Sequence, residues 1–180
     1  MKTLLISCLF ILAFHVTNAQ SQEAVFNKAF AKLLSDYPQS FKNIRGELIL
    51  EDEDEQRYIS IVELPGAQDC LVSLPVSGEK RKAKWEALFF TSASFDEAVQ
   101  QYKSLHQQLM KVGIKFSTKT TTRLKGAYAN PVSGEPFTIS VYTLTPSTGA
   151  YRRIRVELEL VQILEEWRVN LRIGGEEISE

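Results

Sequence analysis

Apolar residues recur at helical spacing twice along this 180-residue chain, and each recurrence is followed by short alternating segments. Phe26, Ala29, Phe30, Leu33, Leu34 and Tyr37 mark the first stripe, which Tyr37-Pro38 closes because proline disfavours a helical residue before it. Phe95, Ala98, Val99, Tyr102, Leu105, Leu109 and Val112 mark the second. Ser94 can cap that helix, Asp96 and Glu97 fall in the first turn where the macrodipole favours anions, and Gly113 stops it. Segments rich in β-branched and aromatic residues predict strands near 43–50, 57–64, 69–75 and 84–91 after the first helix. After the second they predict strands near 115–129, bent along its length, and near 136–144, 151–161 and 166–173. In the last hairpin Val156, Leu160, Ile163, Leu164 and Trp167 also fit one face of a helix. The alternation of Ile154, Val156, Leu158 and Leu160 with Arg153, Arg155, Glu157 and Glu159 favours strands instead.

The two stretches echo each other in sequence. Ile44-Arg45-Gly46 to Leu64 reappears 80 positions later as Leu124-Lys125-Gly126 to Leu144, with Ile59-Ser60-Ile61 answered by Ile139-Ser140-Val141. The register then slips by two, so that Trp85 meets Trp167. Repeats dictate architecture before any local reading does. The expected fold is therefore α+β, a tandem duplication of a helix-plus-four-antiparallel-strand unit in pseudo-two-fold α-β4-α-β4 order, with the helices burying one side. In element order alone this resembles the TATA-binding-protein fold and the secreted β-lactamase-inhibitor fold. The resemblance carries no sequence motif, so it transfers no residue role and no activity.

Residues 1–19 read as a cleaved secretory signal peptide: Met1-Lys2 is positive, Leu4 to Phe14 is apolar apart from Ser7, and Thr17-Asn18-Ala19 ends in small residues. A rival reading takes Leu5-Ile6-Ser7-Cys8 as a lipoprotein box, but the apolar run continues past Cys8. The expectation is an exported protein, periplasmic or extracellular, whose mature part, 20–180, is one domain of two repeats, 20–92 and 93–175, with a short C-terminal tail. No later apolar run is long enough to span a bilayer. Without the leader, Cys70 is the only thiol and His106 the only imidazole, so no internal disulfide can form and the core must hold the fold. Loss of Lys2 also shifts the net charge from −1 to −2, which argues against a nucleic-acid partner bound through global positive charge.

Candidate chemistry is sparse. Cys70 in a strand and His106 on a helix flank lack the setting that activates a thiol, and a core cysteine beside an unrelated histidine accounts for both. One cysteine and one histidine cannot close a zinc site. Glu51-Asp52-Glu53-Asp54-Glu55 offers oxygens to a hard cation but lacks the spacing that wraps them around one ion, so a solvated turn is expected. Lys80-Arg81-Lys82 with Lys84 reads as a solvent-facing hairpin tip. No catalytic residue, metal ligand or cofactor is assigned, and enzyme function is not expected.

Strand alternation leaves two candidate binding surfaces. If Gly46, Leu48, Leu50, Ile59, Ile61, Cys70, Val72, Leu74, Trp85, Ala87 and Phe89 face the helices, then Ile49, Tyr58, Val62, Leu71, Leu88 and Phe90 face away. That is an apolar set too large to leave wet unless the other half covers it or a partner does. In the second half Arg153, Arg155, Arg168 and Arg172 are expected on the outer face together with Glu157 and Glu159, where cross-strand ion pairs absorb part of the charge. The expected function is a non-catalytic exported binding or assembly module that holds a protein or envelope component on a sheet face. The alternative is a carrier enclosing a lipid-like ligand between sheet and helices.

Overall fold

Trp85 and Trp167 lie on antiparallel neighbours at the centre of a single nine-stranded sheet, and the rest of the fold is arranged around that pair. The computed structural model describes residues 22–76, 83–115, 121–147 and 149–175. Residues 1–21, most of the basic hairpin tip and residues 176–180 lie outside them, and with them the expected signal peptide and C-terminal tail. A helix over 22–36 (α1) precedes β1 (Arg45–Glu51), β2 (Glu55–Ser60), β3 (Asp69–Pro75) and β4 (Lys84–Ser92). A second helix, α2 (Phe95–Lys111), precedes β5 (Gly113–Lys115), β6 (Thr121–Gly126), β7 (Phe137–Thr145), β8 (Ile154–Ile163) and β9 (Glu166–Gly175). The sheet is antiparallel throughout, in the order β1-β2-β3-β4-β9-β8-β7-β6-β5. The second half thus has five strands: the segment expected as one bent strand near 115–129 is split into β5 and β6, paired as a hairpin.

Both helices contribute to one core on one face of the sheet. Phe26, Phe30, Leu33 and Leu34 of α1 are fully buried, as are Ala98, Tyr102 and Leu109 of α2. The start of α2 follows from its sequence, since the Ser94 side chain accepts from the Glu97 amide at 3.3 Å and Asp96 and Glu97 fill the first turn. The sheet meets the helices with Val72, Trp85, Ala87, Val156, Leu158, Val169, Leu171 and Ile173, all buried. Two buried serines anchor polar groups inside that layer. Ser60 accepts from Trp85 Nε1 at 3.0 Å, and Ser140 accepts from the Ala129 amide at 2.9 Å while bonding Tyr102 at 2.7 Å. Gly46 and Gly126 let backbones approach: a Cβ on Gly46 would stand 2.9 Å from the Ile59 carbonyl oxygen, and one on Gly126 would collide with Val141 and Tyr142.

The face assignment in the first half needs correction. Tyr58 pairs with Val72, which pairs with Trp85, so Tyr58 lies on the helix side while Ile59 points outward. Val62 is 5% exposed, past the end of β2, and belongs to the core. Phe90 is carried to the helix side by a β-bulge: Leu88 pairs with Asn170, but Phe90 pairs with Val169, whose side chain is buried. Leu48, Leu50 and Ile61, expected inside, are exposed. Arg153 also leaves its group, because it closes a short 3-10 segment ahead of β8 and acts electrostatically on Tyr37.

Candidate functional site: the open sheet face

The face away from the helices is read directly from the strand register. Its central row runs Ile59, Leu71, Glu86, Arg172, Glu157, Val141 across β2-β3-β4-β9-β8-β7. The next row runs Asp69, Leu88, Asn170, Glu159, Ile139. Of the nine residues expected to bind, Leu71, Leu88, Arg155, Arg168 and Arg172 are on this face, and Leu71, Leu88, Arg168 and Arg172 line one depression. That depression holds about 270 Å³ and is completed by Asp69, Glu86, Ala87, Ile163 and Asn170. Tyr58, Val62, Phe90 and Arg153 are not part of it.

Charge on this face is organised around Arg172. Its Nη1 donates to Glu159 Oε1 at 2.6 Å, and its Nε lies 3.6 Å from Glu86 Oε2. Glu159 is only 3% exposed although it is on the uncovered side, and burial raises its pKa while Arg172 opposes the rise. Arg168 is less committed, since among the described residues its guanidinium bonds only the exposed Glu166, at 3.4 Å, where Arg172 bonds the buried Glu159 at 2.6 Å. Beside it the β8–β9 turn presents Ile163, 42% exposed, and Leu164, 92% exposed. Leu164 has φ +58°, a backbone region that a branched side chain seldom occupies. Aliphatic surface, an incompletely paired guanidinium and a hairpin tip therefore meet at one edge of the depression. Chemically it can receive an apolar side chain and bond an adjacent carboxylate or carbonyl. Neither Ile163 nor Asn170 is among the residues the sequence marks for binding, although the alternation that places Arg168 and Arg172 also places Asn170 between them.

The two residues with intrinsic reactivity are elsewhere. Cys70 is buried on the helix side of β3 and burial pushes its thiol up to about 11, which keeps it protonated and unreactive. His106 Nδ1 bonds Tyr142 Oη at 2.6 Å, and its ring packs 4.9 Å from Tyr128. Desolvation lowers the His106 pKa and raises those of Tyr128 and Tyr142, so the group stays neutral and joins α2 to β7. Burial likewise pushes Tyr102 up to about 12. No group of three or more metal-ligating side chains occurs among the described residues, and none of their helices is long and apolar enough to cross a membrane. Comparison with known protein families, with curated proteins and with solved structures finds no match for this chain.

Proposed function

We propose that the protein is an exported, non-catalytic binding module that holds a segment of a partner protein on its open sheet face, over the depression between Leu71, Leu88, Ile163 and the Arg168–Arg172 pair. The observation that carries this reading is the one-sided placement of the helices, which leaves aliphatic side chains and guanidinium groups together at the centre of the uncovered side. The partner segment is one that presents an apolar side chain next to an acidic group. A tandem duplication remains part of the proposal. It is supported by a strand order that runs outward from β4 and β9 in parallel sequence, by the tryptophan at the start of each, and by the paired roles of Gly46 with Gly126 and Ser60 with Ser140. The carrier alternative has less to stand on, because Trp85, Tyr102, Tyr142, Phe26 and Phe30 fill the centre of the space between sheet and helices, and the hollow of about 930 Å³ between α1 and the strand ends at Val62 and Ile114 is open to solvent and bordered by Lys28, Lys32 and Lys115.

The test compares what the wild type and a Leu88→Ser, Arg168→Ser variant capture from the envelope fraction, with melting curves of both proteins. Loss of a specific captured protein by a variant that still melts as the wild type does supports the reading. An unchanged set of captured proteins defeats it.

A further inference from the structure

β1 ends the sheet, with β2 on one side and no strand on the other among the described residues. An unpaired strand edge is a template for another chain, and proteins blunt it with proline, charged side chains (lysine above all), β-bulges or a covering segment. Arg45-Gly46-Glu47-Leu48-Ile49-Leu50-Glu51 contains neither proline nor lysine. Its register with β2 shifts on both sides of Leu48, which breaks the alternation and leaves three successive aliphatics outside the core. Leu48, Ile49 and Leu50 are 42, 50 and 39% exposed. Charge along the same edge is polarised: Lys42 and Arg45 stand at its start, and Glu51, Asp52, Glu53 and Asp54 at its end. Among the described residues Arg45 donates to the Ser40 carbonyl at 2.8 Å and lies 5.7 Å from the centre of the Tyr58 ring, both neutral groups.

We propose that β1 pairs antiparallel with β1 of a second copy of this chain, joining two sheets into one. Antiparallel pairing sets the Lys42–Arg45 end of each strand against the acidic end of the other, whereas parallel pairing would align acid with acid. The strand is thus complementary to itself, as a two-fold interface requires. The aliphatic triplets of both copies meet at the centre, and each charge pair occurs twice. The two-fold axis stands perpendicular to the joined sheet and leaves both open faces on the same side. This association is independent of what the open face binds.

Sedimentation of the purified protein over a range of concentration and salt tests it. A monomer–dimer equilibrium that salt weakens is expected. Ile49→Lys should abolish the dimer while melting as the wild type does, because the side chain is half-exposed. Lys42→Glu and Asp54→Lys should each weaken the dimer roughly three- to thirty-fold, since both symmetry-related contacts are reversed, and the double variant should recover. The proposal is overturned by a wild type that stays monomeric up to roughly millimolar concentration, by a dimer indifferent to Ile49→Lys, or by a charge swap that fails to recover. The charge-swap arm stands even if Ile49→Lys does not fold.

Discussion

Arg172 and Glu159 illustrate how one residue pair governs a face. The raised pKa of Glu159 means that the folded carboxyl holds its proton more tightly than the unfolded one. Its contribution is therefore most favourable below the unfolded value of about 4.3 and declines as pH rises through the folded value. Arg172 counters that decline, so Arg172→Ala should destabilise more at pH 7 than at pH 4. The cost at neutral pH should be roughly 1–2 kcal/mol, limited by the solvent that already screens the part-exposed guanidinium. Adding Glu159→Gln should restore most of it, and melting temperatures at the two pH values check both statements. Leu88 and Phe90 offer a second contrast. Phe90→Ala should cost about 2–4 kcal/mol as a truncation against the core, and Leu88→Ser less than about 1 kcal/mol. Sequence could not separate these two, because Phe89-Phe90 is apolar on both sides of the bulge and alternation alone carries the count straight through. Ile59 was misplaced for a related reason: Ser60, which occupies the core position, is a small polar residue whose bond to Trp85 becomes visible only in three dimensions.

At the scale of elements, both helices and the strands β3, β4, β7, β8 and β9 were legible from periodicity, since each buries one face and alternation survives along most of its length. The edges were not. β1 and β2 carry aliphatics on both sides, so no pattern chose between registers, and β5 is too short for any period to show. The β8–β9 turn was placed by alternation alone, for it contains neither glycine nor proline, and its geometry, with Leu164 at positive φ, left no mark in the sequence. Leu164→Gly should relieve that backbone and raise stability by about 1 kcal/mol, measured by denaturant unfolding, because a side chain 92% exposed has little packing to lose. The same variant should weaken partner capture if the hairpin tip belongs to the binding face. The junction of α2 with β7 has its own signature. His106 is held below its ordinary pKa by desolvation, so this contact favours the fold above the unfolded value near 6.5 and loses strength as pH falls through the folded value. His106→Gln should flatten that part of the stability profile between neutral and mildly acidic pH.

At the scale of the molecule, the final strand of each half lies beside the other, with Trp85 against Ile173 and Ser92 against Trp167. These partners are separated by most of the second half of the chain, so the seam closes only after a long loop has been brought together. Until β9 arrives, β4 is itself an edge strand with Trp85, Ala87 and Phe89 on one side and no neighbour beyond it. A chain synthesised from its N-terminus meets that condition every time it is made, and the half-built sheet is the species most open to wrong pairing. Refolding should accordingly be slow for a domain of this size, on a scale of milliseconds to seconds, and its yield should fall with protein concentration more steeply than the stability of the finished fold would suggest. Where the chain is joined last is where it is most easily lost.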